Sequence, residues 1–124
     1  MIYLFVGLGG FFGAISRFII AGLAQKAAQT TFPVGTLTVN VLGSLLIGFL
    51  VLLFEDMIAP QWKAFFITGF LGALTTFSTF SYETVTLLME GAYGKALLNV
   101  LLNVVLCLSA TFTGMWIYRS LFRL

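Results

Sequence analysis

The residues of this chain whose types and spacing could do chemistry are concentrated between Gly69 and Glu83. There the order runs Gly69-Phe70-Leu71-Gly72-Ala73-Leu74-Thr75-Thr76-Phe77-Ser78-Thr79-Phe80-Ser81-Tyr82-Glu83. Glycines followed by β-branched threonines and serines make a poor regular helix, so one reading is a helix interrupted near residues 72–76. An interruption releases main-chain carbonyls, and those of Gly72 and Thr75 then need a partner. A dehydrated cation of Na⁺ size would serve, as it does at unwound backbone in membrane transporters. Two antiparallel copies would bring two interruptions together and complete the oxygen cage. The other reading is an unbroken helix whose hydroxyls bond back to the preceding turn.

Phe77 and Phe80 stand three residues apart, on nearly one helix face. Aromatic rings present a positive edge, so in a passage too narrow for water the ring edges can help hold an anion. The hydroxyls of Ser78 and Thr79 and the side-chain amides of Asn40 and Asn103 are available as hydrogen-bond donors. The ligand that fits such a set is a small, hard anion. With 14 phenylalanines in the chain, a pair facing lipid or core is the plainer alternative. Two polar stripes accompany the pair at four-residue spacing: Thr36, Asn40, Ser44 and Gly48, and Asn99, Asn103, Cys107 and Thr111. Each stripe lines one face of a helix. Either the two line a hydrated seam, or they tie helices to one another.

These residues need elements to position them, and composition says which. Of 124 residues, 60% are hydrophobic and 8% charged, against roughly 25% charged in soluble domains. A helix crossing the bilayer needs about 20 mostly apolar residues. Uncharged runs at 1–16, 36–54, 64–82 and 96–118 supply four, the first resuming beyond Arg17. The expected fold is all-α and integral to the membrane, one four-helix domain with spans at 2–24, 34–54, 61–89 and 95–121 and the third span broken mid-membrane. Small residues at Ala21-Gly22-Leu23-Ala24 would suit a cleaved export signal. No basic stretch precedes the apolar run and Arg17 interrupts it, so a retained span is expected. Pro33 and Pro60 suit the first turns of helices two and three. The segment 90–95 reads as a tight turn into helix four.

Positive residues normally gather on the cytoplasmic side. Lys63, Arg119 and Arg123 fall on the side of the N-terminus and Arg17, Lys26 and Lys95 on the other, three against three. A chain without bias can insert both ways, which makes an antiparallel, dual-topology homodimer natural; features such as loop length could equally set one orientation. Small-residue pairs at Gly9/Gly13, Gly10/Ala14 and Ser44/Gly48 allow close helix approach, and packing within one chain explains each more readily than a subunit interface. The single Cys107 forms no intrachain disulfide, and the absence of histidine excludes imidazole metal sites and histidine proton relays. No Walker-type glycine loop is present, and neither an enzymatic activity nor a nucleic-acid partner is expected.

The run from Gly69 to Glu83, with Gly35-Thr36-Leu37-x-x-Asn40 in the second span and Arg17 in the first, closely resembles the Fluc (CrcB) fluoride channels over essentially the whole chain. The resemblance implies a dual-topology homodimer with two antiparallel fluoride pores and a central structural Na⁺ held by the carbonyls of Gly72 and Thr75. It also implies that Phe77 and Phe80 line the pores, that Asn40 faces the pore, and that Ser78, Thr79 and Thr111 belong to a polar track. Glu83 corresponds to a vestibule carboxylate and Arg17 to a helix-one arginine. Asn99, Asn103 and Cys107 fall at positions where the family varies. The implied location is the inner (plasma) membrane of a prokaryotic cell, with multiple passes and lipid as the surrounding partner. Hydrogen fluoride crosses lipid uncharged and ionises at neutral pH, so a passive pore lets a negative-inside potential expel the trapped anion and lowers its toxicity. The chief alternative is a small multidrug-type exporter exchanging protons for cations, which would need a carboxylate buried in helix one; this helix has none. A second alternative is a non-transporting scaffold whose polar stripes serve only as glue.

Overall fold

The structure, a computed structural model, describes residues 1–56 and 59–122. Arg123, one of the six cations in the charge balance, lies outside the described residues. Helix α1 runs Ile2–Ala28 and α2 Val34–Glu55. The third span is composite: α3 (Pro60–Lys63), a π-helical segment (Ala64–Leu71), α4 (Gly72–Leu74) and α5 (Phe77–Met89). Helix α6 covers Tyr93–Phe122. Four stretches, Ile2–Ala28, Val34–Glu55, Pro60–Met89 and Tyr93–Phe122, are long and apolar enough to cross a membrane. A helix satisfies its own backbone groups, which is what lipid demands of a span.

The ends of the helices are set by local chemistry. Helix α1 runs on past Ala24 and stops where Gln29 turns left-handed, with φ 50°. Gln25 then staples the connection to α2. Its Nε2 donates to the carbonyls of Thr30 (2.7 Å) and Phe32 (2.8 Å), and its Oε1 accepts from the Gly35 amide at 2.9 Å. Pro33 sits at the N-cap of α2, just outside the first turn expected for it, while Pro60 opens α3. At the far end of α5, Gly91 takes φ 80°. The Ala92 amide donates to Leu87 O (2.9 Å) and the Gly91 amide to Leu88 O (3.1 Å), a Schellman closure that only a glycine enters without strain.

Packing follows the small residues. Gly9 and Gly13 of α1 lie against the carbonyls of Phe65 and Phe70, and Gly69 against Val6 O, so a Cβ at any of the three would overlap main chain. Gly48 of α2 and Gly114 of α6 meet the backbones of Thr111 and Leu45 in the same way. The chain is built on two glycine-fused pairs, α1 with the third span and α2 with α6, joined where Gly35 of α2 meets the Ala21 carbonyl of α1. Between them lies a small core of Val39, Leu71 and Leu74, walled by Ile20, Leu46 and Phe70. Side chains such as Phe12, Phe18, Phe112 and Trp116 point outward and exposed, the distribution of a protein solvated by hydrocarbon.

Candidate functional site

The third span is interrupted at Thr75 and Thr76. Both are extended, with φ −84°, ψ 157° and φ −149°, ψ 114°, between the last residue of α4 and the first of α5. The Thr75 hydroxyl does bond back, donating to Leu71 O at 3.1 Å, yet the helix does not continue. Thr76 starts the new helix as its N-cap, its Oγ1 accepting from the Thr79 amide at 3.1 Å. Asn40 grips the Thr76 peptide from α2. Its Oδ1 accepts from Thr76 N (2.8 Å) and its Nδ2 donates to Thr76 O (3.2 Å). Gly43, one turn further along α2, leaves room for the Thr75 methyl, which a Cβ there would overlap.

The interruption has a definite effect on two carbonyls. An α-turn on Gly72 O needs the Thr76 amide and one on Thr75 O needs the Thr79 amide, but these donate to Asn40 and to the Thr76 hydroxyl instead. Gly72 is also exposed, with nothing nearer than 3.9 Å to a Cβ built on it. At the other lip, the Phe77 and Ser78 amides belong to the first turn of α5 and have no intrahelical acceptor. They lie at the positive end of that helix.

Phe77 and Phe80 stand on this first turn with ring centroids 5.4 Å apart and planes at 63°. Phe77 is 79% exposed and Phe80 half-buried. The two border a cleft of about 390 Å³ that Asn40, Ser44, Thr75, Asn103 and Cys107 also line. The hydroxyls of Thr76, Ser78 and Thr79 cluster, Thr76 Oγ1 donating to Thr79 Oγ1 at 3.0 Å and lying 3.4 Å from Ser78 Oγ. Thr79 faces a second cavity, also about 390 Å³, shared with Arg17, Gln25, Thr76 and Glu83. Glu83 reaches a third, of about 570 Å³, beside Tyr82, Glu90 and Lys95 at the loop end. Its Oε1 is buried and has no hydrogen-bond partner among the described residues. Thr76 lines the first two cavities and Glu83 the last two, so the three form a series.

Two expectations change. The stripes on α2 and α6 do both things weighed for them: they pair with each other, and Asn40, Ser44, Asn103 and Cys107 also line the cleft. Asn40 Nδ2 donates to Asn103 Oδ1 at 3.1 Å and Thr111 Oγ1 to Ser44 O at 3.1 Å, and Gly48 packs on the Thr111 backbone below. Thr111 is therefore part of the helix contact and does not line the aromatic cleft. Nor are the two asparagines free donors. Both Asn40 amide protons go to Thr76 O and Asn103 Oδ1, while Asn103 Nδ2 donates to Asn99 O (2.9 Å) and Asn99 Oδ1 (3.1 Å). Side chains that cannot reach water at membrane depth satisfy one another first. The donors left to an anion are the hydroxyls of Ser78 and Thr79, the α5 amides and the ring edges. Thr76, Gln25, Thr84 and Asn99 were not singled out as site residues. Two of them carried a signal: Thr76 falls in the interruption expected near residues 72–76, and Asn99 shares its register with Asn103.

A four-span helical membrane protein whose third span is interrupted between two glycine-fused helix pairs is the class these features define. The chain belongs to the family described as CrcB-like protein, Camphor Resistance (CrcB), whose profile matches residues 4–115. Proteins of a Nitratiruptor species and a Sulfurovum species, each named fluoride-specific ion channel FluC, are both 59% identical to it over 117 residues. These alignments cover 94% of this chain and 91% and 93% of theirs. A protein of Methanocaldococcus jannaschii with the same name is 50% identical over 123 residues, covering 97% of this chain and 96% of its own.

Proposed function

We propose that this chain is a fluoride-specific channel of a prokaryotic inner membrane, passive, non-enzymatic and assembled as an antiparallel, dual-topology homodimer. The observation that carries the reading is the interruption at Thr75 and Thr76, which supports the Phe77 and Phe80 rings on one cleft and, through Thr76, joins that cleft to the cavity that Thr79 faces. A hydrated fluoride sheds its water gradually in such a series: the vestibule near Glu83 and Arg17, then hydroxyls and amides, then the positive ring edges. Chloride is larger and holds hydrogen bonds less strongly, so it gains less from the same donors.

The carbonyls of Gly72 and Thr75 fit half of a cage for a structural Na⁺. Hard cations take oxygen ligands, both carbonyls have lost their helical donors, and Gly72 is exposed. A second copy would supply the other half. Bound there, the ion would neutralise four carbonyl dipoles that otherwise face one another. The balanced cations support insertion in both orientations.

The test is efflux from liposomes loaded with fluoride, read by a fluoride electrode with chloride as the comparison anion. Rapid fluoride release with little chloride release is expected; equal passage of both, or none of either, would sink the reading.

A further inference from the structure

Helix α6 carries polar groups where a purely lipid-facing helix would put none. Asn99 is 1% exposed and Asn103 6%, in a stretch apolar enough to span a membrane. An amide survives such burial only when hydrogen-bonded. Here the bonds form one directed series. Asn40 Nδ2 donates to Asn103 Oδ1 (3.1 Å), Asn103 Nδ2 to Asn99 Oδ1 (3.1 Å), Asn99 Nδ2 to Thr84 Oγ1 (2.9 Å), and Thr84 Oγ1 to Phe80 O (2.8 Å). Each group accepts from the one before and donates to the next, so the dipoles align and reinforce one another.

The two ends of the series matter most. At one end Asn40 clamps the Thr76 peptide; at the other lies the carbonyl of Phe80. Between Thr76 and Phe80 runs the first turn of α5, with the exposed amides, the hydroxyls and both rings. The series is therefore an outside brace across that turn, routed through α6. We infer that Asn99 is a positioning residue of the ion pathway, holding through Thr84 the turn that carries Phe80 and tying it through Asn103 and Asn40 to the interruption. Asn99 does not touch the anion. This inference rests on the fluoride-channel reading.

The experiment compares unmodified protein with Thr84→Val, Thr84→Ser, Asn99→Ala and the Thr84→Val/Asn99→Ala double variant, all full-length and reconstituted. Fluoride efflux is taken per folded protein, and thermal midpoints are measured in parallel. Thr84→Val preserves shape and removes only the hydroxyl. It is expected to slow efflux about tenfold, the worth of one hydrogen bond lost from a transport barrier. Asn99→Ala slows it at least as much, the double variant falls no further than Asn99→Ala, and Thr84→Ser recovers most of the loss. Lower midpoints with efflux within about twofold of unmodified protein, or losses that add in the double variant, overturn the inference. If Asn99→Ala does not fold, the Val and Ser pair at Thr84 decides alone. Absence of fluoride efflux from unmodified protein sinks the channel reading and this inference together, whereas normal efflux throughout sinks only the inference.

Discussion

Phe77 keeps 79% of its surface exposed in the single chain, so little of the monomer's fold depends on it. Replacing Phe77 or Phe80 by isoleucine keeps an apolar side chain but removes the positive ring edge. Aromatic edge contacts are worth about 0.5–1.5 kcal/mol each. Fluoride efflux is expected to fall about tenfold or more while yield and dimer content hold; undiminished efflux would take the rings out of the mechanism. The interruption beside these two residues, near Gly72 and Thr75, was legible because glycines and β-branched threonines are poor helix formers whatever lies around them. The asparagine network was not. Asn40 lies 36 positions from Thr76 and 63 from Asn103, and nothing local says which amide finds which. An asparagine with three hydrogen bonds looks, as a letter in a sequence, the same as one waiting for an anion.

The helices themselves were legible from apolar length, and their fused pairs were half-legible. Gly9/Gly13 and Ser44/Gly48 were visible as small-residue pairs, but only the packed chain assigns the first to the third span and the second to α6. The π-helical segment Ala64–Leu71 had no sequence signal at all; its wide turns run beside the glycine face of α1, where two backbones meet. A graded test belongs to this scale. Gly9→Ala and Gly13→Ala put a methyl into backbone, and overpacking costs about 1–3 kcal/mol or more, measured as lower thermal midpoint and yield. Gly7→Ala, with nothing within 4 Å, is expected to be neutral. Gly72→Ala is also free of clashes, so the monomer should fold. Any loss should then fall on Na⁺-dependent dimerisation, seen by size-exclusion chromatography with Na⁺ against a large organic cation. A stable, sodium-independent dimer in both the unmodified chain and Gly72→Ala would remove the proposed cage.

For the whole molecule, the six cations count three against three when Arg17, inside α1, is set with Lys26 and Lys95. If both orientations are needed, unbalancing them disables the assembly. Ala27→Lys should bias insertion one way and Gln61→Lys the other, both at exposed positions. Either variant alone should lose most fluoride efflux, and co-expression should restore it, since oppositely inserted chains can then meet. Full activity from either variant by itself would rule out the dual-topology reading.

The pairing of α2 with α6 also bears on how the chain is made. Asn40 and Ser44 enter the membrane early, yet Asn103 and Thr111 lie 63 and 67 positions further along the chain. Until residues 93–122 are inserted, the Asn40 amide lacks its Asn103 acceptor, whereas the Ser44 carbonyl, inside α2, already has its helical donor. A chain cut before that point would leave one asparagine proton without its acceptor in a span otherwise apolar enough to cross a membrane.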